Sequence, residues 1–139
     1  MEETNAVEAP KNGGKQYKIF LVDDDKFLLD MYALKFKNNG HVVFSAGDGE
    51  DALKKIKEGL EPDALLLDVI MPGMDGIGLL EEIRKDKLIA NTHIIMLTNQ
   101  GQPQDIERAQ NLGVSGYIVK ATNIPSEVVA ETIKILEKK

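Results

Sequence analysis

The 139-residue chain is 42% hydrophobic, enough for one domain that buries roughly two thirds of its unfolded surface, so no second domain is required. Its 17 Lys and Arg against 23 Asp and Glu leave a net charge of −6, which argues against a nucleic-acid or anionic-membrane surface and for cations or basic partners. The absence of cysteine excludes disulfides, thiolate chemistry and a Cys-based zinc site, and fits a reducing compartment, the cytoplasm by default. The apolar runs are far shorter than the ~20 residues of a membrane helix, and the acidic N-terminus lacks a signal pattern.

Residues Met1 to Gln16 hold three Glu, Pro10 and the Asn12-Gly13-Gly14 triplet with almost nothing apolar, and are expected to be a disordered tail. A first strand, about Lys18 to Val22, leads through Asp23-Asp24-Asp25 into a helix over about Lys26 to Asn38. The spacing of Phe27, Met31 and Leu34 at i, i+4, i+7 predicts its buried stripe. Asn39-Gly40 stops it. Val42-Val43-Phe44 reads as the second strand, and Gly47-Asp48-Gly49 turns into a helix with Ala52, Leu53, Ile56 and Leu60 inward, ended by Gly59 and Pro62.

Ala64-Leu65-Leu66-Leu67 is a short apolar run between Pro62-Asp63 and the turn-rich Met71-Pro72-Gly73-Met74-Asp75-Gly76, as a doubly buried parallel strand requires. A third helix carrying Ile77, Leu80 and Ile83 extends to about Lys87. Ile94 to Leu97 form the fourth strand, and Pro103 suits the first turn of a helix that buries Ile106, Ala109 and Leu112. Gly116 to Val119 form the fifth strand. The last helix starts near Pro125 and turns Val129, Ile133 and Leu136 inward. Five βα units predict an α/β fold, a doubly wound parallel sheet with helices on both faces and right-handed crossovers.

In such a sheet the ligand crevice lies beyond the carboxyl ends of the strands. Asp23 and Asp24, Asp68, Thr98 and Lys120 each follow a strand directly, so the topology predicts their convergence. Three carboxylates and one ammonium leave two negative charges in one pocket, which repel each other unless a divalent cation joins them. Oxygen donors without His or Cys favour Mg²⁺ or Mn²⁺, and Mg²⁺ commonly shares its shell with a phosphoryl group. Phosphoryl transfer to a carboxylate follows, with Lys120 spreading charge and Thr98 donating a hydrogen bond to the product.

The set resembles a response-regulator receiver domain of two-component signalling, the CheY-like superfamily. The matching residues are Asp23-Asp24, Asp68 with Met71 to Gly76 behind it, Thr98, and Ser115-Gly116-Tyr117-Ile118-Val119-Lys120, and the match runs from about Tyr17 to the C-terminus. The resemblance implies a flavodoxin-like sheet of order 2-1-3-4-5, Asp68 as phosphoacceptor, Asp24 as a direct Mg²⁺ ligand and Asp23 as one acting largely through water. It further implies that the Ile70 carbonyl completes the metal shell, that Lys120 pairs with the phosphoryl group, and that Thr98 and Tyr117 form the switch. The implied partners are a histidine kinase or phosphotransfer protein and a downstream target protein, met through helix four, strand five and helix five. The implied role is a phosphoacceptor that assists its own phosphorylation and dephosphorylation, not a turnover enzyme. The chain's end just after helix five suggests a single-domain regulator.

Two departures from the family pattern bear on the site. Ala121 stands where Pro usually follows the lysine, and because a cis bond to a non-proline residue costs ~3 kcal/mol, a trans Lys120–Ala121 bond is expected. Ile70 and Gln100 lie two residues past Asp68 and Thr98, where the family tunes access of hydrolytic water. Ile70 cannot orient water, which predicts a long-lived phosphoaspartate.

Plainer roles are expected elsewhere. Asp25 reads as a helix N-cap, Asp75 and Gly76 as turn and cap, and His41 and His93 as strand-start residues remote from the site. Two other functions compete. The Asp-x-Asp of Asp23 to Asp25 also suits a haloacid-dehalogenase-like phosphatase with Asp23 as nucleophile, although Phe27 departs from that pattern. A nucleotide- or flavin-binding module is weaker, since the turn after strand one is acidic and lacks Gly-x-Gly.

Overall fold

A computed structural model describes residues 15–99 and 103–138, so most of the expected tail, and Gln100, lie outside the described residues. Gln16, the last residue of that expected tail, is held by its side-chain amide donating to the Gly40 carbonyl at 3.1 Å. Strands β1 (Lys18–Val22), β2 (Val42–Ala46), β3 (Ala64–Leu67), β4 (His93–Thr98) and β5 (Gly116–Val119) alternate with helices α1 (Lys26–Asn38), α2 (Gly49–Lys57), α3 (Gly76–Lys85), α4 (Pro103–Asn111) and α5 (Pro125–Glu137). The sheet is parallel throughout, in the order β2-β1-β3-β4-β5. The apolar periodicity predicts the parallel α/β sheet, and the family resemblance implies its strand order.

Alternation along each strand divides the core into two layers, because successive side chains leave the sheet on opposite faces. Phe20, Val22, Leu65, Leu67, Ile94 and Met96 pack with Ala52, Ile56, Leu80, Ile83 and Ala109 of α2, α3 and α4. Ile19, Leu21, Leu66, Ile95, Leu97 and Ile118 pack with Leu29, Tyr32, Phe36, Val128 and Ile133 of α1 and α5. Both faces of the sheet are covered, which is why β3 reads as an uninterrupted apolar run.

Helix α1 departs from expectation. In the predicted stripe Phe27 and Leu34 are 75% and 60% exposed and Met31 is half-buried, whereas Leu29, Tyr32 and Phe36 are buried. The helix carries apolar residues on two opposite faces, and the face with the two large aromatics is the one the sheet takes up. Helix α3 also ends two residues short of the expected Lys87. Lys87 and Ile89 adopt positive φ in the turn that follows, and the Leu88 N–H returns to the Ile83 carbonyl at 2.9 Å.

His41 and His93 lie at the amino-terminal edge of the sheet, away from the strand ends that carry the acidic residues. His41 is buried beside Tyr17 and Phe36, and its Nδ1 accepts the Tyr17 N–H at 3.1 Å, which requires that nitrogen to be unprotonated. Burial pushes the imidazole below the usual histidine value, and the charge of Glu137 opposes this without cancelling it. The unfolded chain therefore takes up this proton at a higher pH than the fold does. The group's contribution to stability is intact above roughly pH 6.5 and is lost as the pH falls below it. Urea denaturation at about pH 7.5 and about pH 5.5 is expected to show a larger loss for the wild type than for His41→Asn, whose amide oxygen accepts without titrating. Equal losses would contradict the assignment.

Candidate functional site

The register of the sheet sets where each polar group emerges. Val22 of β1 pairs with Leu67 of β3, so Asp23 and Asp68 are the next residues of two adjacent strands. Leu67 pairs with Met96, and Thr98 with Val119, so β4 and β5 run further in the same direction before Thr98 ends and Lys120 begins. Lys120, the first residue of a 3-10 turn (Lys120–Thr122), then reaches back toward β1 and β3.

Its Nζ donates to Asp68 Oδ2 at 3.0 Å and to Asp23 Oδ2, and all three side chains are buried. The remaining carboxylate oxygens are held from the backbone. Asp23 Oδ1 accepts the Asp25 N–H at 2.9 Å and Asp68 Oδ1 the Ile70 N–H at 3.3 Å. Asp24 is exposed, and one oxygen from each of Asp23, Asp24 and Asp68 lies within 4.8 Å of the others. The hollow they line has a volume of about 300 Å³ and is completed by Asp25, Leu28, Ile70, Thr98, Asn99 and Lys120. Among the described residues this is the one cluster of acidic or imidazole groups close enough to hold a metal ion, and all its donors are oxygens, the set a hard divalent cation takes.

Burial pushes the Asp68 carboxyl above its ordinary value. Lys120 pulls it back only in part, while the Asp23 charge adds to the rise. Burial lowers the Lys120 ammonium, but its hydrogen bond to Asp23 and the charges of Asp68 and Asp23 outweigh this and hold it above the usual lysine value. One cation thus serves two buried carboxylates, with a third at the rim.

The expected sites are brought together, with one exception. Asp23, Asp24, Asp68, Ile70, Thr98 and Lys120 share the hollow, whereas Tyr117 packs on the side of the sheet covered by α2, α3 and α4, and its hydroxyl is buried with no partner among the described residues. That burial pushes the phenol up, helped by the charges of Asp105 and Asp68. Asp25 caps α1, its Oδ1 accepting the Leu28 N–H at 3.1 Å, and Asp75 caps α3, its Oδ1 accepting the Gly78 N–H at 2.7 Å, as expected. There is no cis peptide bond among the described residues, so the Lys120–Ala121 bond is trans. Two lining residues, Leu28 and Asn99, escape the sequence reading. The only signal for Asn99 is its adjacency to the end of β4, and Leu28, inside α1, carries none.

Residues 19–131 match the family described as the response regulator receiver domain. The chain belongs to that family. It is 36% identical over 121 residues to the alkaline phosphatase synthesis transcriptional regulatory protein PhoP of Bacillus subtilis, a match covering 87% of this chain and 49% of the relative. The chain spans about half the length of the curated relatives it matches. Among solved structures it is similar to the chemotaxis protein CheY4 of Vibrio cholerae (TM-score 0.79, 26% identity, 87% of this chain and 99% of that one). It is equally similar to a CheY-like receiver domain protein of Methanospirillum hungatei (TM-score 0.79, 28% identity, 88% and 95%). Receiver domains are signalling switches of two-component systems. The phosphatase reading finds no support: Asp23, its nucleophile, has one oxygen on a backbone N–H and the other on Lys120, and Phe27 points into solvent.

Removing the cation and removing an acid should act in opposite directions. Lys120→Met leaves two buried carboxylates uncompensated and is expected to cost about 3 kcal/mol in urea unfolding without divalent metal. Asp24→Asn, at the exposed rim, relieves repulsion and is expected to leave stability unchanged or slightly raised. Loss of stability in both variants would show that the cluster is not governed by its net charge.

Proposed function

We propose that this receiver domain, taken as residues 17–139, is a phosphorylation-dependent switch that accepts a phosphoryl group on Asp68. The observation that carries the reading is the shared Lys120 ammonium, bound to Asp23 and Asp68 at the mouth of a hollow with a third carboxylate beside it. A carboxylate oxygen of Asp68 forms the new P–O bond as the P–N bond of a donor phosphohistidine breaks and its electron pair returns to the imidazole nitrogen. Lys120 then pairs with the transferred group, and Thr98 donates to one of its oxygens.

Asp23, Asp24 and Asp68, with the Ile70 carbonyl, would hold Mg²⁺ (or Mn²⁺), whose charge would offset the two net negative charges and the developing charge of the phosphoryl oxygens. The phosphoryl group adds a charge of about −2 beside Lys120. Movement of Thr98 toward it vacates space beside β4 for Tyr117, whose unpartnered hydroxyl gains by leaving its present position. The face built from α4, β5 and α5 changes with it and is the surface offered to a downstream partner. The donor is a histidine kinase or a histidine phosphotransfer protein. The protein acts on itself as acceptor and is not a turnover enzyme. No helix among the described residues is long and apolar enough to cross a membrane, and a cytoplasmic location suits such a donor.

Acetyl phosphate with Mg²⁺ is expected to label the wild type once, on Asp68, and to leave Asp68→Asn unlabelled. Labelling of Asp68→Asn at the wild-type rate would remove the proposal. Ile70 is 70% exposed at the edge of the hollow and has no polar side-chain atom to orient water. Ile70→Asn is therefore expected to shorten the phosphoaspartate half-life several-fold, read from the decay of radiolabel after donor removal.

A further inference from the structure

Gly76 opens α3, and its N–H donates to the Val69 carbonyl at 2.9 Å. No side chain fits at this position. A Cβ built on Gly76 would lie 2.0 Å from the Asp68 carbonyl oxygen, 2.9 Å from its carbonyl carbon and 3.0 Å from Val69 Cα. Backbone freedom is not the reason for glycine here, because the positive-φ glycines among the described residues are Gly40, Gly59, Gly73 and Gly113. Helix propensity does not favour glycine either, since alanine is the better helix former. Space and propensity therefore have opposite signs at one residue.

The crowded peptide is the one that carries Asp68. On one side the Asp68 N–H donates to the Val22 carbonyl of β1 at 3.0 Å, and on the other the start of α3 closes over the Asp68 carbonyl and the Val69 peptide. We propose that Gly76 is a positioning residue: its bare backbone lets α3 clasp the Asp68–Val69 peptide, and this clasp sets where the Asp68 carboxylate stands relative to Lys120. A methyl group at position 76 must open the 2.0 Å contact to beyond 3 Å, which parts the start of α3 from the Asp68–Val69 peptide and releases the clasp. A displacement of roughly 1 Å at a reacting group can cost about 10²-fold in rate. The inference rests on the reading of Asp68 as phosphoacceptor.

Gly49→Ala supplies the control. Its Cβ would meet the Met74 carbonyl oxygen at 2.5 Å, a comparable backbone collision on the far part of the same loop, six residues from Asp68. The two variants and the wild type are compared with Mg²⁺ and acetyl phosphate at low temperature in about 1 M trimethylamine N-oxide, which favours the folded state. Rates are normalised to the folded fraction from circular dichroism. Gly76→Ala is expected to be labelled about 10- to 100-fold more slowly than the wild type, and its ¹⁹F spectrum with beryllofluoride should show weakened or altered adduct resonances. Gly49→Ala should lose comparable thermal stability yet keep the wild-type rate and spectrum. Labelling of folded Gly76→Ala at the wild-type rate, or equal slowing in both variants, overturns the proposal. So does a Gly76→Ala chain that stays unfolded in the osmolyte, since Gly76 would then be a requirement of folding and not of positioning. Wild type that takes no label on Asp68 would instead sink the acceptor reading on which this rests.

Discussion

One ammonium group held between two carboxylates governs the functional end of this molecule. Lys120, Asp23 and Asp68 come from three strands and are buried together, a placement that would cost several kcal/mol per ion without mutual pairing. Pairing alone does not balance the site, because two acids share the cation and Asp24 adds another at the rim. The fold therefore keeps a local excess of negative charge where the strands end. Helix N-termini lie at the same end of the sheet and partly offset it. An α/β sheet gathers such groups readily, since every strand in a parallel array delivers its next residue to the same edge.

The loop between β3 and α3 is closely built. Asp75 caps α3, the Gly76 N–H ties back to Val69, and Gly49 of α2 leaves room for the Met74 carbonyl. At its other end α3 is tied to α4. Arg84 donates from Nε to the Leu112 carbonyl at 2.7 Å and from Nη2 to the Gly113 carbonyl at 3.0 Å, and Arg108 pairs with Glu81 at 3.0 Å. The first two bonds satisfy carbonyls of the turn that follows α4. The exposed Arg108–Glu81 pair adds little energy.

Much of this was legible in the residues. Strands showed as short apolar runs between turn signals, and the polar residue after each run marked the site, because parallel topology turns sequence position into spatial position. Helix α1 departs from its sequence pattern for a specific reason. Phe27, Met31 and Leu34 satisfy helical spacing as well as Leu29, Tyr32 and Phe36 do, and periodicity cannot choose between two apolar faces. The crowding at Gly76 is hidden for a different reason: a glycine at the start of a helix reads as a turn residue, and the lack of room for a Cβ against a backbone eight residues earlier has no signature in composition or spacing.

The turn after Lys120 shows how a departure from a family pattern is absorbed. With Ala121 in place of the usual proline, the chain continues through a trans bond into a 3-10 turn, and side chains hold that turn instead of a ring. Asn123 Nδ2 donates to the Val119 carbonyl at 2.8 Å, Thr122 Oγ1 to the same oxygen at 3.3 Å, and the Asn123 N–H to the Lys120 carbonyl at 3.3 Å. These bonds anchor the residues on both sides of Ala121 to the end of β5. Lys120 therefore leaves the strand from a fixed backbone, and its four-carbon side chain spans the distance to Asp68 and Asp23 without needing the proline to aim it.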